Sequence, residues 1–124
     1  MRMNAARSSK VVMAYAVSAT VALGLAIALA TLVPHATGPA GVPGLDKLAH
    51  FVAFAVLAAP VSWRAPHLWR TVALAGLAYG GLIEIVQPLT GREASWGDLL
   101  ADGAGATTGA LIAAQFGKRR RDMG

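Results

Sequence analysis

Apolar runs and short polar breaks alternate along this chain. Residues 11–33 carry no charged side chain and are almost unbroken in apolar character. At helical rise they reach about 35 Å, enough to cross a bilayer. The stretch "PHATGPAGVPG" (34–44), dense in Pro and Gly, reads as a loop. A second apolar run covers 45–63, and "RAPHLWR" (64–70) interrupts it with bases and Pro66. A third runs from about residue 69 to 89 and stops near Pro88. The polar connection "TGREASWGD" (90–98) leads into a fourth, over 98–116, which "GKRRR" ends. The pattern predicts an all-α membrane protein, a bundle of four transmembrane helices at about 11–33, 46–63, 69–89 and 98–116. A single domain (11–116) would lie between a short N-terminal segment (1–10) and a basic tail (117–124). A cleaved signal peptide fits the first run less well, because its apolar core spans only about 7–15 residues.

Composition supports the membrane reading. The chain is 56% hydrophobic and 14% charged, where soluble domains average about 25% charged. There is no cysteine, which removes disulfides and thiolate metal sites. The net charge is +5, but Lys118, Arg119, Arg120 and Arg121 concentrate it in the tail. With aromatics at only 6%, nothing offers a stacking platform, so no nucleic-acid partner is expected. Four helices place both termini on one side. With that side cytoplasmic, Arg2, Arg7, Lys10, Arg64, Arg70 and the four tail bases lie inside, against Lys47 and Arg92 outside. The positive-inside rule demands that bias. Trp63 and Trp69 then belong to the inner interface and Trp96 to the outer one.

This topology gathers polar residues into one outer layer. Asp46, Lys47 and His50 begin the second helix; Glu84 and Gln87 end the third. Arg92 and Ser95 lie in the loop, and Asp98 and Asp102 begin the fourth helix. Asp46 and His50 are i,i+4, as are Asp98 and Asp102, while Glu84 and Gln87 are i,i+3, so each helix aims one polar stripe. Ionisable groups at this depth face a bundle interior or a wet cavity. Below them, G-x-x-x-G motifs at 76–80 and 105–109 read as close-packing surfaces.

Some of these residues have bland explanations. Asp46 is a natural N-cap, and "SWGD" (95–98) has capping-box form. Lys47 can snorkel toward headgroups. No cap accounts for His50, Glu84 or Asp102. The acids with His50 could ligate a divalent cation, but no metal motif is present and Lys47 and Arg92 oppose one. No metal and no cofactor are expected. Paired carboxylates with His50 could also perform acid–base chemistry, although no nucleophile elbow, P-loop or HExxH occurs. Whether the protein is an enzyme stays open at this level.

The stretches "DKLAHFVAFAVLA" and "GLIEIVQPLTGREASWGDLLADGAGATTGALIA" carry Asp46, Lys47, His50, Phe51, Phe54, Glu84, Gln87, Arg92, Ser95, Asp98 and Asp102. In order and spacing, over about residues 45–113, they resemble the VanZ-like family of small bacterial membrane proteins. The resemblance implies a multi-pass protein of the bacterial inner membrane. Through the family's link to teicoplanin resistance it implies binding of, or action on, cell-envelope precursors or glycopeptides. Membrane lipid would be the other partner. A membrane-embedded acid–base enzyme on an envelope lipid, and a small transporter or assembly factor, are the alternatives. Where the family pattern has Asn, this chain has Asp102, which only accepts hydrogen bonds when ionised.

Overall fold

The computed structural model describes residues 2–32 and 44–124. They form four helices: α1 (Arg2–Leu32), α2 (Leu45–Arg64), α3 (Trp69–Val86) and α4 (Trp96–Asp122). Short 3-10 turns, Pro66–Leu68 and Gln87–Thr90, precede and follow α3, and no strand occurs among the described residues. The loop expected at 34–44 lies outside the described residues except for Gly44.

Local chemistry sets the helix ends. Gly44 enters α2 with φ +81°, a left-handed conformation that glycine adopts without a Cβ penalty. Gly44 therefore occupies the N-cap position, and Asp46 sits inside the first turn instead of capping it. There its carboxylate still complements the positive end of the helix. Pro88 has no N–H to continue α3, so the chain tightens into the 3-10 turn and leaves it at Gly91, also at φ +81°. Ser95 caps α4, its Oγ accepting from the Asp98 amide at 3.3 Å.

Two helices run past the apolar segments. α1 starts at Arg2 and α4 continues through the basic tail to Asp122. Residues 2–10 contain no proline or glycine to break the helix. At the C-terminal end, tertiary contacts hold the extension. Arg121 donates to the Arg64 carbonyl at 2.9 Å, and Arg120 stacks over the Trp63 ring at 4.5 Å. Arg64 in turn reaches Ser9 on α1 at 3.1 Å.

α4 packs against α2 and α3, while α1 lies against α2 and α3. The α4 seam is built from small residues. Ala106, Ala110 and Ala114 are buried along one stripe. A Cβ at Gly105, Gly109 or Gly117 would run into the backbone carbonyl oxygens of Phe51, Ala55 and Trp63 respectively. On α3, a Cβ at Gly76 would come 2.7 Å from that of Ala106. On α4 the G-x-x-x-G motif is a close-approach surface where only hydrogen fits against the α2 backbone, while the α3 motif makes room for the Ala106 and Asp102 side chains of α4. Phe54 and Tyr79 meet with ring centroids 6.1 Å apart, and the Tyr79 hydroxyl donates to the Gly24 carbonyl of α1.

Three of the four helical segments are long and apolar enough to cross a membrane: α1, α2, and α3 with its flanking turns. Only 6%, 22% and 33% of their apolar windows are buried. The bundle therefore turns Leu25, Leu29, Leu74, Leu82 and Ile85 outward. The expected fourth span, α4, falls short of that hydropathy. Its glycines and the buried Asp102 belong to the face that packs closely against α2 and α3.

Candidate functional site

At the end of the bundle where α2 and α4 begin and α3 finishes, three helices bring acids and a histidine together. His50 lies in the second turn of α2, Glu84 in the last turn of α3, and Asp98 and Asp102 in the first two turns of α4. His50 Nδ1 and Asp102 Oδ1 share a 2.7 Å hydrogen bond. The other ring nitrogen, Nε2, stands 3.8 Å from Asp98 Oδ2. Glu84 Oε2 accepts the Ser95 backbone N–H at 2.8 Å. One potential ligand atom each from His50, Glu84 and Asp102 lies within 4.8 Å of the others.

Exposure falls from rim to floor. The side chains of Asp46 and Lys47 are 56% and 49% exposed, those of Asp98 and His50 13% and 11%, and that of Asp102 is fully buried. Lys47 Nζ bridges Asp46 at 3.7 Å and Asp98 at 3.6 Å. Room for the buried carboxylate comes from Gly80, where a Cβ would stand 2.8 Å from Asp102 Oδ2. Gly80 belongs to the motif read from sequence as helix packing, and its neighbour here is a site residue. Nothing local marks it for that role.

Each buried carboxylate has one oxygen engaged and one free. Glu84 Oε1 and Asp102 Oδ2 have no hydrogen-bond partner among the described residues. Beside Glu84 opens a cavity of about 350 Å³, bounded by Gly81, Glu84, Ile85, Ser95, Trp96 and Leu99. Glu84 and Ser95 form its polar wall. A second cavity, of about 400 Å³, lies among α1, α2 and α3, lined by Gly24, Leu57, Val72, Tyr79 and other largely apolar residues. None of the acids or bases reaches it.

Two residues expected in the polar layer have other partners. Gln87 Nε2 donates to the Thr31 carbonyl at 3.2 Å, and Arg92 donates to the Ala30 carbonyl at 3.1 Å. Both donate to carbonyls of the last described residues of α1. Their pairing tightens the α1 end against the α3–α4 connection. The remaining expected residues form one connected set: Asp46, Lys47, Asp98, His50 and Asp102 by direct contacts, and Glu84 with Ser95 alongside.

Chemically, the arrangement offers a carboxylate–imidazole pair suited to holding or relaying a proton. It also offers a mixed nitrogen and oxygen donor set, and a polar wall against an apolar cavity. No curated protein and no solved structure matches the chain. The family model described as VanZ/LLP1 matches residues 3–117. That match covers nearly the whole chain, takes in α2 and α3 entirely and most of α1 and α4, and holds every residue of the polar cluster, so the protein belongs to the VanZ/LLP1 family.

Proposed function

We propose that this is a multi-pass protein of the bacterial inner membrane, termini in the cytoplasm, that binds a cell-envelope precursor or a glycopeptide in an outward-facing pocket. The observation that carries the reading is the meeting of His50, Glu84 and Asp102 from three helices beside the cavity under Trp96. Such groups are costly near a membrane core: a carboxylate costs about 2.5–3.5 kcal/mol at a helix centre and less toward the helix ends, where these lie. Interhelical hydrogen bonds return only about 0.6 kcal/mol on average. Stability alone is a poor reason to keep three of them. Family membership adds the link that the VanZ name carries to teicoplanin resistance. The bare apolar exterior and the crowding of bases at the opposite end support the placement in the bilayer.

The test is mass spectrometry of lipids and ligands co-purifying with wild type and with well-expressed Glu84→Gln. A precursor or glycopeptide retained by wild type and lost by the variant supports the reading. Identical, purely bulk-lipid profiles defeat it. An acid–base enzyme on an envelope lipid is the second reading, favoured by the 2.7 Å His50–Asp102 pair. It requires that Glu84→Gln abolish product while ligand stays bound.

A further inference from the structure

Sequence alone sets Lys47 and Arg92 against a cation in the polar layer. The fold disposes of both. Lys47 is held on the rim between Asp46 and Asp98, and Arg92 is turned to the Ala30 carbonyl of α1. Among the described residues neither forms an ion pair with Glu84 or Asp102. What faces these two carboxylates is one imidazole, with Asp98, itself paired with Lys47, at the ring's other nitrogen.

Three independent features then converge. His50, Glu84 and Asp102 bring ligand atoms within 4.8 Å of one another. Asp102 is 0% exposed and Glu84 8%, and each keeps one buried oxygen without a hydrogen-bond partner. Each also has its other oxygen fixed by protein, Glu84 by the Ser95 amide and Asp102 by His50. The Ser95 amide is an outer hydrogen bond of the kind that orients ligating carboxylates in metal sites, while the Asp102–His50 contact joins two members of the set itself. Buried carboxylates need a compensating charge. Two of them with a neutral imidazole and a divalent cation make an electrically neutral set.

We propose that His50, Glu84 and Asp102 form a binding site for a divalent transition-metal cation, zinc or manganese in class. One imidazole and two carboxylates suit those ions. Calcium prefers six to eight oxygens, and magnesium keeps most of its waters. Ligand atoms around one zinc stand roughly 3–3.5 Å apart, given bonds of about 2.0–2.2 Å. Small side-chain rotations therefore suffice: the 4.8 Å spread closes and the 2.7 Å His50–Asp102 contact opens. Three protein ligands leave a coordination position for an anionic oxygen, and Glu84 lines the cavity from which one would arrive. The inference deepens the proposed precursor-binding reading by giving the pocket an attachment point for a phosphate or carboxylate.

The experiment uses the untagged full chain in micelles, stripped with chelator and titrated with Zn²⁺ or Mn²⁺ alone. Calorimetry should show one saturable equivalent per chain. Asp102→Asn and Glu84→Gln should each weaken it at least tenfold, while Gln87→Ala, outside the set, keeps it. Co²⁺ substitution of the wild type should give visible absorption bands of a low-symmetry site, a readout that needs no variant to fold. Absence of both saturable binding and Co²⁺ bands in the wild type overturns the proposal. So does undiminished binding by folded Asp102→Asn and Glu84→Gln. No envelope precursor is present in the titration, so metal binding and precursor binding can each fail alone.

Discussion

His50 and Asp102 are 52 positions apart in the chain and joined by a 2.7 Å hydrogen bond. Asp102 is fully buried, and His50 is the described side chain that pairs with it. The bond ties the start of α2 to the start of α4 above the glycine seam. A double-mutant cycle with His50→Ala and Asp102→Ala should return a coupling of roughly 0.5–2 kcal/mol in reversible unfolding in micelles. Additive effects would mean the pair does not act as a unit.

The glycine seam makes a position-specific prediction. Gly105→Ala and Gly109→Ala place a methyl against the Phe51 and Ala55 carbonyl oxygens, which cannot rotate away. Each should destabilise the bundle by about 1–3 kcal/mol. Gly81→Ala meets only Leu99 Cδ1 at 3.9 Å. It should be neutral or gain up to about 1 kcal/mol through helix propensity. Equal melting temperatures for Gly81→Ala and Gly105→Ala would contradict the α2–α4 crossing described here.

Ser95 and Glu84 touch, yet their substitutions should separate. Ser95→Ala removes the cap to the Asp98 amide and should cost about 1 kcal/mol. It leaves the Ser95 backbone N–H to hold Glu84, so ligand retention should persist. Glu84→Gln should show the opposite balance, with ligand lost and folding kept. Parallel thermal melts and ligand analysis distinguish the two.

Gln87 is buried, and its amide serves the Thr31 carbonyl of α1. Gln87→Leu leaves that carbonyl without its donor and should cost about 1 kcal/mol. Because Gln87 Oε1 is itself unpartnered, the loss should not exceed that figure. Metal titration should be unchanged, since the side chain lies outside the proposed ligand set. Altered metal affinity in a folded Gln87→Leu would place Gln87 functionally inside it.

The chain has no cysteine, so single cysteines report topology cleanly. Glu93→Cys should react with an impermeant maleimide in intact cells, and Asp122→Cys only after permeabilisation. Labelling of Glu93→Cys solely from the cytoplasm would invert the proposed orientation and turn the polar pocket inward.

The helices and the clustering of polar residues at their ends were legible along the chain. Backbone hydrogen bonding, apolar periodicity and Pro or Gly punctuation are properties of neighbouring residues. The capping role of Ser95 followed from its spacing to Asp98 for the same reason. Asp46 was placed two positions wrong, because Gly44 admits a left-handed turn that local propensity does not rank. Partners were another matter. Nothing in the spacing of Gln87 or Arg92 indicates that both turn to α1 and leave His50, Glu84 and Asp102 without their company. Nor does local sequence show that Gly80 makes room for the Asp102 carboxylate. Those outcomes depend on the depth and register at which α4 crosses α2 and α3. Backbone-to-backbone contact at Gly105, Gly109 and Gly117 sets that crossing between residues far apart in the chain. The sequence by itself determined which residues are polar and at which end they lie. The tertiary structure decided which of them meet.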